Sequence, residues 1–255
     1  YSKSQLQSIT LGGLLHDIGK IAVPPRILNK PGALTADEFK IIRCHPAEGR
    51  KILKELQSPM ASLLAIIACQ HHEHIDGSGY PYHIKGKSIH PYSRITAIAD
   101  VYDALTSVRP YKKSYKPNIV YQMMMKNSPG HFDMELLRLF FDNVAIYPVG
   151  TVMRTELGYA IVKKVIFGHT RAPIVIVFAD KNGKMLKKHF GLNLAHCRRN
   201  VIQYVMDDVE LLNFIRSTGV DPAIYLDSDM RAKKRHREAP AKKDPKQPSE
   251  KPPTP

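Results

Sequence analysis

The stretch that decides this fold is His16-Asp17-Ile18-Gly19-Lys20, which directly follows an apolar helical pattern ending at Leu15. Imidazole and carboxylate groups are ligands that hold divalent iron, manganese or zinc in proteins. An adjacent His–Asp pair can serve two neighbouring metal ions, with the carboxylate bridging them. The lysine, one turn further along, suits a phosphate oxygen. The stretch therefore predicts metal ions beside a phosphate.

Further potential ligands follow at wide, ordered intervals, and they are His45, His71, His72 and Asp100. Consecutive helical residues point about 100° apart, so adjacent ligands suit a cluster of two metal ions about 3.5–4 Å apart. The alternative is a set of individually satisfied histidines. It is disfavoured because polar groups near apolar helical faces are costly without partners. The set predicts a metal-dependent phosphohydrolase in which an activated water attacks phosphorus.

The 255-residue chain is predicted to be mainly α, with a helical bundle over residues 1–147. Apolar periodicity indicates a helix over Gln5–His16 and another from the capping-box pattern at Thr35 to about Leu56. Alternating and β-branched segments predict a small β-rich module with a C-terminal helix over residues 148–228, including a helix over residues 196–217. The Lys/Arg/Pro-rich residues 229–255 are predicted to form a disordered tail.

The composition narrows the class of protein. The net charge of +15 is partly due to residues 231–255, which hold nine Lys/Arg and three Asp/Glu, and the basic remainder suits an anionic substrate. Nucleic-acid binding is the rival interpretation, but no nucleic-acid motif stands out. No apolar run reaches 18 residues, so we expect no transmembrane helix. Three cysteines without a CxxC pair argue against a disulfide scaffold and for the cytoplasm.

Four motifs together resemble the HD-GYP domain, a subgroup of the HD superfamily of metal-dependent phosphohydrolases. They are His16–Lys20, His71-His72-Glu73, the run from Asp76 to Tyr80-Pro81, and the segment from Asp100 to Tyr111. The resemblance covers residues 1–147 and implies a helical bundle with two or three divalent metal ions, usually iron or manganese. It also implies hydrolysis of cyclic di-GMP to linear pGpG, and often onward to GMP, in bacterial second-messenger signalling.

The resemblance also implies roles for single residues. The implied metal ligands are His16, Asp17, His45, His71, His72 and Asp100. Asp17 would be the bridging, catalytic carboxylate, and Lys20 would contact the scissile phosphate. Arg109 and Lys112 would bind substrate phosphate and base, and Tyr80 would border the substrate pocket. From the residues alone, two roles for Glu73 stay open: it could be a partner for a ligating histidine, or a solvated charge.

One departure from the family pattern concerns the start of the domain. Members usually carry another helix before this motif, with a His and sometimes a Glu that complete the metal site. Only 15 residues precede His16, and none of them is His or Glu. Because the sequence also begins at Tyr1, we expect a piece of a longer protein, with the upstream helix missing and one coordination position open.

Two alternatives stay open at this point. The first is an HD hydrolase that acts on another nucleotide. The second is a catalytically silent module that senses cyclic di-GMP or docks a diguanylate cyclase (GGDEF) domain through the loop Asp76–Pro81. The intact ligand set argues against the silent module.

Overall fold

The computed structural model describes residues 1–108, 114–126 and 128–226, which form two compact units. The first unit comprises Tyr1–Val149, Lys164–Ile174 and Asn193–Arg198, and the second comprises Gly150–Lys163, Val175–Leu192 and residues 199–226. The predicted mainly α fold with a small C-terminal sheet is confirmed. The predicted disordered tail, residues 229–255, lies outside the described residues.

The first unit is built from helices. They are α1 (Lys3–Leu15), α2 (Pro25–Leu28), α3 (Ala36–Ile42), α4 (His45–Lys54), α5 (Ala61–Gln70), α6 (Pro91–Thr106), α7 (Pro117–Lys126), α8 (Ser128–His131) and α9 (Met134–Asn143). A 3-10 turn over Ile18–Ala22 follows α1, and another lies at Gly86–Ser88. Within the described ranges, no helix has the length and hydropathy that crossing a membrane requires.

Helix α5 is the central helix of this unit, because it contacts α1, α4 and α6. Its residues Ala65, Ile67 and Ala68 are fully buried. Small residues let the neighbouring helices come close, since a Cβ at Gly12 of α1 would overlap the side chain of Ile67. The C-terminal end of α5, where His71 follows, therefore lies among other helices rather than at the surface.

A second apolar cluster fixes α6 against the helices that follow it. Its buried members are Ile98, Val120, Met124, Phe132, Leu137, Phe141 and Ile146. Asp100 lies two residues after the first of these on α6, so this cluster holds the carboxylate-bearing helix in place.

The predicted continuous helix from Thr35 to about Leu56 is wrong, because the structure divides it into α3 and α4. The predicted capping box at Thr35 is present. The division has a local cause: Pro46 has no N–H and cannot continue the helical ladder to the carbonyl of Ile42. The ring Nδ1 of His45 bonds that carbonyl instead, at 2.7 Å.

The second unit is built on a five-stranded sheet with the order β4-β3-β2-β1-β5. The strands are β1 (Val152–Thr155), β2 (Gly158–Lys164), β3 (Ile174–Ala179), β4 (Met185–Asn193) and β5 (Ile202–Val205). Strand β1 pairs antiparallel with both β2 and β5. Helix α10 (Asp208–Thr218) covers the sheet through Phe214, whose ring centroid lies 5.8 Å from that of Phe178.

The predicted helix over residues 196–217 is wrong in its first half. Residues 202–205 form β5, in which Val205 pairs with Met153 of β1. The run Val201-Ile-Gln-Tyr-Val205 is β-branched and aromatic, a composition that favours strands. Helix α10 begins only after Asp207, whose side chain accepts a hydrogen bond from the N–H of Glu210 at 2.8 Å.

The substitution Gly19→Ala is expected to lower the free energy of unfolding of the first unit by about 1–3 kcal/mol, the usual cost of overpacking. A Cβ at Gly19 would overlap the carbonyl oxygen of His45 and the amide nitrogen of Gly49. Urea denaturation followed by circular dichroism measures the effect.

The matched control is Gly13→Ala, within α1, where a Cβ meets nothing within 4 Å. It should raise stability by about 0.5–1 kcal/mol, because alanine is favoured over glycine inside a helix. Unchanged stability in Gly19→Ala would contradict the close approach of the 3-10 turn to α4.

Candidate metal centre

Three histidines, His16, His45 and His71, share one local arrangement. In each, the ring Nδ1 atom donates a hydrogen bond to the backbone carbonyl three residues earlier. The N···O distances are 2.6 Å to Gly13, 2.7 Å to Ile42 and 2.8 Å to Ala68. These carbonyls lie in the last turns of α1, α3 and α5, where helical partners run out. Because a carbonyl can only accept, Nδ1 carries the proton, so each ring has its lone pair at Nε2 whenever it is neutral.

The three Nε2 atoms converge on the carboxylate of Asp17. Its Oδ1 lies 3.2 Å from Nε2 of His45 and 3.8 Å from Nε2 of His71, and its Oδ2 lies 3.3 Å from Nε2 of His16. The Nε2 atoms of His45 and His71 are 3.3 Å apart. Two lone pairs at that distance repel each other unless a proton or a cation lies with them.

The donor set fits a divalent metal ion. Ligand atoms of Asp17, His45, His71 and His72 all lie within 4.8 Å of one another. Nε2 of His16 and Oδ1 of Asp17 are buried and lack a hydrogen-bond partner among the described residues. Buried polar atoms are nearly always satisfied in native proteins, and nitrogen and oxygen lone pairs that share one volume suit iron, manganese or zinc.

The structure brings together all six residues that the sequence predicts as metal ligands. His16 connects the four-residue group to Asp100, whose Oδ1 lies 3.6 Å from Nε2 of His16. Lys20, predicted to contact phosphate, places its Nζ 2.5 Å from Oδ2 of Asp17. Arg109 and Lys112, predicted to bind substrate, lie outside the described residues.

Burial and the two carboxylates set the protonation states of the site. Burial alone would lower the pKa of His16, but the nearby carboxylates of Asp100 and Asp17 raise it to about 10. Burial lowers the pKa of His71 well below its usual value and that of His72 to about 4. Burial would raise the pKa values of Asp17 and Asp100, but neighbouring residues, His16 foremost among them, lower both. Without a bound ion, His16 is therefore charged at neutral pH, whereas His71 and His72 are neutral.

Glu73 binds backbone groups, so it is neither a partner for a ligating histidine nor a solvated charge, the two roles that the sequence left open. It is only 3% exposed, and its carboxylate accepts hydrogen bonds from the backbone N–H groups of Tyr82 at 2.7 Å and Ile84 at 3.0 Å. It is therefore an anchor for the loop that follows the predicted ligand pair, not a solvated charge.

The same loop places Tyr80 against the cluster. The backbone N–H of Tyr80 donates to the carbonyl of His72 at 3.0 Å, and the two rings stack with centroids 4.8 Å apart. A side chain at Gly79 would overlap that carbonyl, so only glycine permits this approach. Burial raises the pKa of the Tyr80 phenol, which therefore stays protonated and able to donate a hydrogen bond.

Sequence reasoning missed Arg43. Its guanidinium carbon lies 4.5 Å from the ring centroid of Tyr80 and 5.8 Å from that of Phe39. Two signals were available: Phe39 and Arg43 are four residues apart and so share a helix face, and Arg43 lies two residues before His45.

Comparison with known proteins gives the following matches. The model of the HD domain family matches residues 1–136. A cyclic di-GMP phosphodiesterase of Pseudomonas aeruginosa is 46% identical over 148 residues, covering 58% of this chain and 35% of that protein. The cyclic di-GMP phosphodiesterase response regulator RpfG of Xanthomonas campestris pv. campestris is 45% identical over 114 residues, covering 45% and 30%. The 3'3'-cGAMP-specific phosphodiesterase 2 of Vibrio cholerae is 38% identical over 142 residues, covering 56% and 27%. The chain thus spans about a third of the length of these curated relatives.

The substitution Glu73→Ala is expected to release the loop from its anchor, because hydrogen bonds to a charged acceptor contribute about 1.5–3 kcal/mol each. Hydrogen–deuterium exchange should show faster exchange at the amides of Tyr82 and Ile84. The control Glu55→Ala removes an exposed carboxylate from the end of α4 and should leave that exchange unchanged. Equal protection of both amides in wild type and Glu73→Ala would refute the anchoring role.

Metal binding is expected to release about one proton per protein near pH 7.5, because a ligating histidine must be neutral and the raised pKa leaves His16 protonated. Affinity should therefore rise with pH, about tenfold per unit for one proton, until the pH reaches about 10. Titration calorimetry with Mn²⁺ in two buffers of different ionisation enthalpy counts the protons. His16→Ala should release fewer, and an unchanged count in that variant would be inconsistent with this assignment.

Proposed function

This chain belongs to the HD domain family, and on that premise we propose that it hydrolyses cyclic di-GMP to linear pGpG, with GMP as a further product. The observation that carries the proposal is the convergence of three backbone-tethered imidazoles on the carboxylate of Asp17. Relatives at 46% and 45% identity are named cyclic di-GMP phosphodiesterases, and they supply the substrate class.

The proposed metal ligands are His16, Asp17, His45, His71, His72 and Asp100. Asp17 would be the bridging carboxylate, since its two oxygens face different imidazoles. A centre of two ions, or three, suits this number of donors. The His/Asp donors accept iron, manganese or zinc, and of these the resemblance to the HD-GYP domain favours iron or manganese. When bound, such ions supply Lewis acidity, which lowers the pKa of water and offsets the charge of phosphoryl oxygens.

The protein's own residues orient and complete this site. The backbone bonds at Nδ1 hold each imidazole with Nε2 towards the cluster, so the donors need little reorganisation. The Lys20 side chain is 37% exposed. Its ammonium can therefore leave Asp17, bind a phosphate oxygen of the substrate and stabilise the negative charge on that oxygen. Tyr80 forms a wall beside His72 and keeps a phenolic proton available.

A second candidate substrate has specific support. Three relatives from Vibrio cholerae, at 38–40% identity, are named 3'3'-cGAMP-specific phosphodiesterases. The same metal centre would serve either cyclic dinucleotide, because the reacting phosphodiester is alike and only one base differs. A mixed guanine–adenine cyclic dinucleotide is therefore the leading alternative to cyclic di-GMP.

Three further features of this protein stay predictions. They are the cytoplasmic location, the roles of Arg109 and Lys112 in substrate binding, and the docking of a diguanylate cyclase domain on the loop Asp76–Pro81. In that loop Asp76 and Ser78 are exposed, which leaves them available to a partner.

Lys20→Gln is expected to reduce kcat about 10²–10³-fold, the usual cost of losing one donor that stabilises transition-state charge. The assay uses the chain loaded anaerobically with Fe²⁺ or Mn²⁺ and offers cyclic di-GMP, 3'3'-cGAMP and a linear dinucleotide. Elemental analysis should show that the variant keeps its metal. The control Lys30→Gln removes a lysine that pairs with Glu38 at 2.6 Å, away from the cluster, and should keep full activity.

Two outcomes would count against the proposed function. Turnover of the linear dinucleotide with both cyclic dinucleotides untouched would exclude the proposed substrate class. Tight binding of cyclic di-GMP without turnover in metal-replete protein would indicate the silent sensing module instead.

A further inference from the structure

Four side chains follow one another in a series of contacts from the exposed Phe39 to the metal cluster. Phe39 is 47% exposed, and the guanidinium carbon of Arg43 lies 5.8 Å from the centroid of its ring and 4.5 Å from that of Tyr80. Tyr80 in turn stacks on His72, a member of the cluster. Phe39, which is exposed, and Arg43, which is half-buried, can therefore be reached from solvent beside the proposed reaction site.

The described neighbours of Arg43 do not neutralise its charge. The acidic residues of α3 and α4 are already paired with lysines, and these pairs are Asp37–Lys40, Glu38–Lys30 and Glu48–Lys51. Among the residues that the structure describes, Arg43 makes no ion pair with a carboxylate. A guanidinium that lies over a ring keeps its N–H groups at the edge of that ring, so the donor fork of Arg43 is free of partners among the described residues.

The surroundings of this fork favour a purine base over a phosphate. An arginine fork binds carboxylates and phosphates in bidentate fashion, and it binds O6 and N7 of guanine in the same way. A phosphate gains nothing from an exposed aromatic face, whereas a base stacks on one. Phe39 supplies such a face one helical turn before Arg43.

We propose that Phe39 and Arg43 form a guanine-binding subsite, in which Phe39 stacks on one base of the cyclic dinucleotide and Arg43 reads its O6 and N7. The inference rests on the proposed function, because it assigns a substrate base to the rim of that same centre. It makes Arg43 a specificity-determining residue that discriminates guanine from adenine. The C6 amino group of adenine is a donor, so it would face the donors of the guanidinium without forming a hydrogen bond.

The test removes the N7 acceptor from the ligand and the guanidinium of Arg43 from the protein. Wild type, Arg43→Ala and Arg43→Met are compared on cyclic di-GMP and on its 7-deaza analogue, in which N7 of both guanines is replaced by CH. Arg43→Met keeps a long, polarisable side chain on Tyr80, so a folding defect in Arg43→Ala does not end the test. Thermal unfolding and metal content are measured for every protein.

Wild type should prefer cyclic di-GMP over the analogue at least about 5-fold in kcat/KM, the lower end of what a bidentate arginine–guanine pair provides. In Arg43→Met the ratio should fall to about 1 while metal content is kept. The control Lys40→Ala removes a positive charge from α3 at a 75% exposed side chain and should keep the wild-type ratio. A wild-type ratio near 1, or an equal loss on both ligands in Arg43→Met with the ratio preserved, would overturn the subsite.

Failure of the proposed function can be distinguished from failure of the subsite. If wild type hydrolyses neither ligand, the same pair is measured by calorimetric binding to the metal-loaded proteins. Binding that prefers cyclic di-GMP in wild type but not in Arg43→Met keeps the guanine subsite and rejects the phosphodiesterase. Binding without that preference, or no binding at all, rejects the subsite as well.

Discussion

The hydrogen bonds from imidazole Nδ1 atoms to helix-end carbonyls are the constraint on which the rest of this site depends. The last carbonyls of a helix need partners from outside its own ladder. An imidazole that supplies the N–H is fixed in tautomer and in ring orientation. Since the same contact forms at the ends of α1, α3 and α5, three helix ends become three aimed Nε2 atoms, and packing the helices also assembles the centre.

Small residues and one proline bring those ends together. The 3-10 turn after α1 can lie on α4 only because Gly19 leaves no side chain between the two backbones, and a Cβ at Gly49 would fit tightly there. Pro46 ends the hydrogen-bond ladder of α3 and leaves a carbonyl for His45. The buried alanines of α5 allow its neighbours to approach. These features lie outside the ligand set, yet they decide where the ligands point.

Features with a local cause could be predicted from the sequence, and features that need a distant partner could not. The ligand types, the capping box at Thr35 and the strands between residues 150 and 192 are short patterns with few interpretations. The break after α3 also has a local cause in Pro46, but apolar periodicity across it suggests one helix. Glu73 is a feature that needs a distant partner, because it binds backbone N–H groups nine and eleven residues away. No side-chain pattern in the sequence marks a backbone group as a partner. The contact of Arg43 with Tyr80 likewise exists only once the loop has folded back.

The hydrogen bonds from the imidazoles to backbone carbonyls affect how the sequence of this centre can vary. The groups that orient the imidazoles are main-chain oxygens of Gly13, Ile42 and Ala68, so the side chains at those positions do not enter the contact. An alanine scan would pass over them, since truncating a side chain deletes no carbonyl. Only a change in the main chain, such as an amide-to-ester exchange that weakens the acceptor, acts on them directly. The orienting part of the centre is thus encoded in backbone shape and can persist while the residues that carry it are exchanged.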